Sequence, residues 1–437
     1  MSRTVAVVGL GKIGLPLAVQ FASKGIDVIG CDVLPEVVEE INAGRSHIHE
    51  EAGLDAAVAG AVKNGRLTAT TDTSAGVAKS NVVVIIVPLL VSAGGAVDYG
   101  NIDAATRAVG RGLRKGTLVL YETTLPVGTT RNRLGPMLER ESGLRVGSDF
   151  HLAFSPERLY AGRIFEDLRK YPKIVGGVDA LSTTAAVDFY RSVLDAEVWA
   201  VDNAETAEFT KLAETTYRDV NIALANQFAL YAAGRDVDIA QAFRAANSQP
   251  FSHIHRPSLG VGGHCIPVYP HFLLGDAADG ELSLVRDGRR TNDSMASVGV
   301  DQLARALGGL EGRRVLVLGA SYREDVKELA FSTAFAIVDL LRRAGAEVLI
   351  HDPLYTDAEL ANFEAEIVDR DSEEARSVDA VVVQAMHSNF AELDWGAFER
   401  LRAVLDGRGT LDREKIRRAG AAYIAIGVPE TQSAIRD

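Results

Sequence analysis

Thr4-Val5-Ala6-Val7-Val8-Gly9-Leu10-Gly11-Lys12-Ile13-Gly14 is the stretch that decides the fold. Its short apolar run reads as a strand buried on both faces. The glycines behind it fall where such a strand turns sharply into a helix. Gly9 permits the tight turn, Gly11 lets backbone approach a pyrophosphate at the helix N-terminus, and Gly14 lets helix and strand pack closely. The next strand, Asp27–Cys31, runs into Asp32, 18 residues beyond Gly14. A carboxylate there hydrogen-bonds ribose hydroxyls and repels a 2′-phosphate, so NAD is favoured over NADP. Strand, glycine turn, helix and acidic residue in this order supply the context in which the glycine motif means dinucleotide binding.

Outward from this unit, strand and helix keep alternating. The first helix is expected over 12–24. Further strands are expected at Leu67–Thr70, 82–87, 117–121 and His151–Phe154, with helices between them. From about 203 to 234 the pattern becomes one long helical period with no strand, and a shorter helix follows over 239–247. A second alternating unit starts near Arg313. It has a strand at 315–318 meeting Gly319, a helix over 332–344 and a strand at 347–350 running into His351-Asp352. Strands at Ala380–Val383 and Ala422–Ala425 complete it.

The fold class is therefore α/β: two Rossmann-like doubly wound domains joined by a long central helix and a helical middle domain. The expected boundaries are 1–200 for an NAD-binding domain, 201–300 for a central helical region carrying a cysteine loop, and 301–437 for a C-terminal α/β domain. The long helix is an expected dimer contact, so a homodimer is the default.

A chain of 437 residues fits two or three domains. Its two cysteines, Cys31 and Cys265, exclude a disulfide framework and suit a reducing cytoplasm. The formal charge of −13 repels nucleic acid, and no basic-aromatic stripe offsets it. An anionic substrate would need a local cluster of Arg and Lys. No apolar run spans a bilayer, and the strand starting near Thr4 leaves no room for a signal peptide, so no membrane partner is expected. His47/His49 and His253/His255 form His-x-His pairs without further ligands in sight, and no metal is expected.

The second informative stretch is Gly262-Gly263-His264-Cys265-Ile266-Pro267. A hydride acceptor together with a nucleophilic thiol can oxidise an alcohol past the aldehyde to an acid. An aldehyde has no hydride to give until something adds to its carbonyl. A thiolate adds, and loss of a second hydride leaves a thioester. Cys31 lies within a strand and reads as core.

With Glu122-Thr123-Thr124-Leu125-Pro126-Val127-Gly128-Thr129-Thr130, Phe154-Ser155-Pro156-Glu157-Arg158 and Lys211-Leu212-Ala213-Glu214, these blocks resemble, in order, the UDP-glucose/UDP-N-acetylmannosamine 6-dehydrogenase family. The resemblance covers nearly the whole chain. It implies a C-terminal domain that binds the nucleotide diphosphate, and oxidation of the C6 alcohol of a nucleotide sugar to a carboxylate with reduction of two NAD. It makes Cys265 the nucleophile, Lys211 the cation beside the oxyanion, Glu157 the base for the hydrolytic water, and Thr124 its positioning hydroxyl. It assigns cofactor contacts to Gly9, Gly11, Lys12, Ile13, Gly14, Asp32, Pro88, Thr124 and Arg323. It assigns substrate contacts to Arg158, Lys211, Thr215, Arg256, Gly262 and Tyr322, with Arg163 a further diphosphate candidate.

The chain departs from the family pattern at several points. Tyr269 stands where the family often has Asp, four residues after the cysteine, and a phenol is a far weaker base. Thr215 replaces an Asn on the helix, Arg323 replaces a Lys, and Ala330 replaces an Arg. The form Gly-His-Cys-Ile-Pro-Val-Tyr-Pro is closer to the N-acetylhexosamine branch than to the glucose branch, and a dTDP-hexose is also conceivable. The alternatives are a two-electron NAD-dependent hydroxyacid dehydrogenase, which uses a lysine without a cysteine, and a non-catalytic sensor of NAD or nucleotide sugar.

Overall fold

A computed structural model describes residues 3–92, 95–160 and 162–429. The chain divides into two compact units. One runs to Glu214 and includes His271–Asp276; the other holds Thr215–Pro270 and the chain from Ala277 onward.

The first unit contains β1 (Thr4–Val8), β2 (Asp27–Cys31), β3 (Leu67–Thr70) and β4 (Val82–Ile85). A small hairpin, β5 (Leu90–Val91) and β6 (Val97–Asp98), precedes β7 (Leu118–Tyr121), β8 (His151–Phe154), β9 (Lys173–Gly177) and β10 (Val198–Ala200). The main sheet has the order β10-β9-β8-β7-β4-β1-β2-β3. Every pairing in it is parallel except β8 with β9. Side chains alternate between two cores. Val5, Val7, Val82 and Val84 enter one, while Ala6, Val8, Val83 and Ile85 enter the other. Each such Val or Ile gains about 1.5–3 kcal/mol by leaving water, so neither face tolerates a polar position. That is why these strands read as unbroken apolar runs. The order reverses between β1 and β4, and ligands of open α/β sheets bind outside the strand ends at this switch point.

The second unit holds β11 (Arg314–Leu318), β12 (Glu347–His351), β13 (Glu366–Ile367), β14 (Ala380–Val383), β15 (Ala403–Asp406) and β16 (Ala422–Ala425). They form an all-parallel sheet in the order β13-β12-β11-β14-β15-β16. Val315, Val317 and Val382 face one core, and Leu316, Leu318 and Val383 the other. The switch recurs between β11 and β14. Both sheets are Rossmann-like, as the alternation implies.

The long helix runs Ala204–Ala233 without interruption, and a shorter one spans Ile239–Ala246. Several features differ from expectation: the hairpin β5–β6 and the strands β9, β10, β13 and β15 were not among the expected elements. The first helix starts at Gly14 rather than Lys12, because residues 11–13 form the turn. The strand expected over 82–87 ends at Ile85. A 25-residue helix, Ser283–Leu307, lies where no distinct element was expected.

Candidate active site

The turn after β1 requires glycine at two positions, Gly9 and Gly14. Gly9 has φ +92°, and a Cβ there would lie 2.9 Å from the Ile86 carbonyl oxygen. A Cβ on Gly14 would lie 1.8 Å from the Gly9 carbonyl oxygen, while Gly11 faces open space. The Gly14–Ser23 helix begins at Ile13 with no side-chain cap, leaving its first amides to face the turn. Asp32 accepts from the Leu10 amide at 2.8 Å and the Leu34 amide at 3.1 Å. Those bonds fix the carboxylate at the end of β2 and leave lone pairs for ribose hydroxyls. This cradle fits a dinucleotide. Lys12 ion-pairs with Glu50 at 3.4 Å on the surface, and Pro88 is exposed just beyond β4.

Thr124 is buried in the loop after β7. The Glu208 carboxylate ties that loop to the long helix, accepting from the Gly128 amide at 2.5 Å and the Thr130 amide at 2.8 Å. Burial pushes Glu208 up to about 7 against the pull of those bonds. Lys211, also buried, stands three residues further on, on the same helix face as Glu208.

Glu157 follows β8 and is part of a buried charge cluster. Lys173 Nζ lies 3.0 Å from Glu157 Oε2 and 2.7 Å from Glu122 Oε2. The Tyr190 hydroxyl donates to Glu122 Oε1 at 2.6 Å. The Arg158 amide donates to Glu157 Oε1 at 2.6 Å. Burial pushes Glu122 up to about 8, opposed by Lys173 and reinforced by Glu157. Burial also acts on Glu157, but the Lys173 charge and hydrogen bonds from Glu122, Lys173 and the Arg158 amide hold it below its ordinary value. Of the two carboxyls, Glu122 is pushed up and Glu157 held down. The guanidinium of Arg158 pairs with Glu214 at 2.9 Å, and that of Arg163 with Asp167 at 3.3 Å.

In the second unit Cys265 is partly exposed in a loop that demands glycine. Gly263 has φ +95° and donates its amide to the Ala330 carbonyl at 2.8 Å. A Cβ on Gly262 would meet Tyr322 Cβ at 2.6 Å and the Phe331 carbonyl oxygen at 2.7 Å. The loop is therefore seated on the segment 322–331, by a main-chain contact indifferent to the side chain at 330. The Cys265 carbonyl accepts from the Tyr269 amide at 3.0 Å. His264 turns to Glu328 at 3.3 Å. Cys31, by contrast, is core, and burial foremost pushes its thiol up to about 12.

Gly319 after β11 has φ +88°, and Asp352 at the end of β12 accepts from the Ala320 amide at 2.7 Å. This repeats the Gly9–Asp32 arrangement. His387 accepts from the Asp325 amide through Nδ1 at 2.9 Å, so its proton sits on Nε2, 2.9 Å from Asp352. Tyr322 and Arg323 lie beside this turn, with Arg323 Nε donating to the Tyr322 hydroxyl at 3.0 Å. Arg408 donates to the Tyr322 carbonyl. Thr215 is buried on the long helix, and Arg256 precedes the glycine loop.

Lys173, Tyr190, Glu208 and the Asp352–His387 pair were not singled out from sequence. Lys173 left one signal, a charge opening the otherwise apolar run Lys173-Ile174-Val175-Gly176-Gly177.

Three domains of one family match the chain in order. The NAD binding domain of the UDP-glucose/GDP-mannose dehydrogenase family matches residues 3–194, its central domain 205–294 and its UDP binding domain 316–413. UDP-N-acetyl-D-mannosamine dehydrogenase of Pyrococcus horikoshii is 36% identical over 97% of this chain and 99% of its own. NDP-N-acetyl-D-galactosaminuronic acid dehydrogenase of Ralstonia nicotianae is 33% identical over 95% and 97%. The solved structure of the Pyrococcus horikoshii enzyme aligns with a TM-score of 0.88 at 35% identity, covering 97% of this chain and 99% of that one. An NDP-N-acetyl-D-galactosaminuronic acid dehydrogenase from Methanosarcina mazei aligns at 0.87 and 30%, covering 99% and 96%. Among the described residues no helix is long and apolar enough to cross a membrane. With its glycine cradle, its second nucleotide-type turn and its match to all three domains, the chain belongs to the UDP-glucose/GDP-mannose dehydrogenase family and is an NAD-dependent nucleotide-sugar dehydrogenase.

Proposed function

We propose that this enzyme oxidises the C6 alcohol of a nucleotide-linked N-acetylhexosamine to the carboxylate, in four electrons, through a thioester on Cys265. The observation that carries this is the seating of the Cys265 loop. A partly exposed thiol sits between obligatory glycines, held by backbone to the segment that borders the second nucleotide-type turn. The relatives named for UDP-N-acetyl-D-mannosamine and NDP-N-acetyl-D-galactosaminuronic acid support the sugar class. The three matched domains support a division of labour: NAD on 1–200, chemistry on 201–300, and the nucleotide on 301–437.

Held by Gly9, Gly11, Gly14 and Asp32, NAD supplies the hydride acceptor for both oxidations. The alcohol loses a hydride and a proton and becomes an aldehyde. The Cys265 sulfur adds to that carbonyl, and the Lys211 ammonium stabilises the oxyanion. Loss of a second hydride from the adduct leaves the thioester. Glu157 takes a proton from water, which Thr124 helps to place; the hydroxide adds, the C–S bond breaks, and the carboxylate leaves Cys265 as it was. The balance is one alcohol, one water and two NAD⁺ giving one carboxylate, two NADH and three protons.

Limiting UDP-N-acetylmannosamine should yield about two NADH per sugar, the count set by four electrons at two per NAD. A yield of one would instead support a two-electron dehydrogenase. We also propose a homodimer, supported by the exposed Phe209, Tyr217, Phe228 and Tyr231 of the long helix. Sedimentation equilibrium should return twice the chain mass, and a monomer at micromolar concentration would refute it.

A further inference from the structure

We propose that Lys173, backed by Glu122 and Tyr190, is the positioning residue that keeps the Glu157 carboxylate charged and fixed for its work on water. This rests on Glu157 being the hydrolytic base.

Topology puts the lysine there. Strand β9 runs against β8, with Phe154 opposite Gly176 and Ala153 opposite Gly177. Residues after Phe154 therefore lie beside residues before Gly176, and the Ser155 hydroxyl donates to the Ile174 carbonyl at 2.7 Å. The start of β9 is thereby delivered to the carboxyl ends of β7 and β8, the side on which such sheets bind ligands. A parallel β9 would have left Lys173 at the opposite edge.

The composition of the cluster also argues for function. A buried lysine needs one carboxylate; this one has two, within 2.7 and 3.0 Å. A buried ion group is weak stabilisation, and an apolar trio would serve the fold as well. Lys173 also lies 5.1 Å from the centre of the Tyr190 ring. Facing Glu157 are Lys173, Glu122 and the Arg158 amide. Asp167 and Tyr171 line the same cavity. The Asp167 carboxylate is engaged by the Tyr160 amide and by Arg163, and the Arg158 guanidinium is turned to Glu214. Lys173 is thus the cation hydrogen-bonded to the Glu157 carboxylate.

The consequence is a base that stays ionised in acid. A base must be unprotonated to act, and a cation at hydrogen-bond distance lowers its proton affinity by about 1–2 pH units. The experiment is release of the sugar acid from Cys265 as a function of pH, read by quenched mass spectrometry and NADH on the full-length enzyme. Lys173→Met should move the acid limb of release up by about 1–2 pH units. Lys173→Arg should restore most of it, and adduct formation should remain.

An adduct that forms normally, with the wild-type acid limb in Lys173→Met, overturns the proposal and leaves the thioester reading intact. If Lys173→Met does not fold, Lys173→Gln, which keeps a donor without the charge, decides: a wild-type acid limb overturns it. No adduct in any protein, wild type included, overturns the thioester reading and this proposal with it.

Discussion

Replacing Cys265 by serine is expected to lower overall turnover about 10⁴-fold or more, the scale on which removing a covalent nucleophile acts. A serine hydroxyl is un-ionised at neutral pH, and the neighbouring His264 is turned to Glu328. The aldehyde would then have no adduct from which a second hydride can leave. At most one NADH per active site should appear, and a carbonyl trap such as semicarbazide should capture the aldehyde. NAD affinity should hold, because the Gly9–Asp32 turn draws its bonds from β1, β2 and their loops. Folding should hold too, since Cys265 is partly exposed and its loop is fixed by main chain and glycine rather than by the thiol. The measurements are NADH yield per site and NAD binding by calorimetry. A serine variant that completes both oxidations at the wild-type rate removes sulfur from the mechanism.

Most of the fold was legible because both sheets are covered on both faces. Burial on two sides writes a strand as an apolar run, and β2, β3, β8, β14 and β16 were read to the residue. The run at β4 misled at its end. Ile86 and Val87 are still apolar, but the chain has left the sheet there and the Ile86 carbonyl packs against Gly9. The Ser283–Leu307 helix escaped because glycine and polar residues interrupt the first half of its buried face. Gly288, Arg289 and Asn292 are buried among its apolar residues, with Arg289 bonded to Asp219 at 2.5 Å and Asn292 to Asn226 at 2.9 Å. A periodicity search for hydrophobic residues passes over such a stripe. Strand direction was equally hidden, since nothing local marks β9 as reversed.

In the site, glycines that must be glycine could be found, because their reason is local backbone geometry. Gly9, Gly14 and Gly263 each have one. Family resemblance supplied Glu157 and Lys211. It did not supply what surrounds Glu157, because Glu122, Lys173 and Tyr190 come from β7, β9 and the helix Ala180–Val193 and meet only through tertiary packing.

That packing gives the companion prediction its sign. Glu157→Gln should slow release of the product about 10²–10⁴-fold, the usual share of a positioned base. The two oxidations precede the step that needs Glu157. A burst of about two NADH per site should therefore appear at close to the wild-type rate, by the same two-electron count. The enzyme should then stop, with the sugar acid held on Cys265 and visible as added mass on its peptide. Lys173 and the Arg158 amide bond to different oxygens of Glu157, so glutamine keeps the shape and one of the two bonds. What it loses is the ability to take a proton from water. Hydroxylamine needs no such help to cleave a thioester, and adding it should restart turnover and release the sugar as a hydroxamate. Rescue by hydroxylamine would locate the defect in water activation. Continued turnover without trapped sugar would show that another group deprotonates the water.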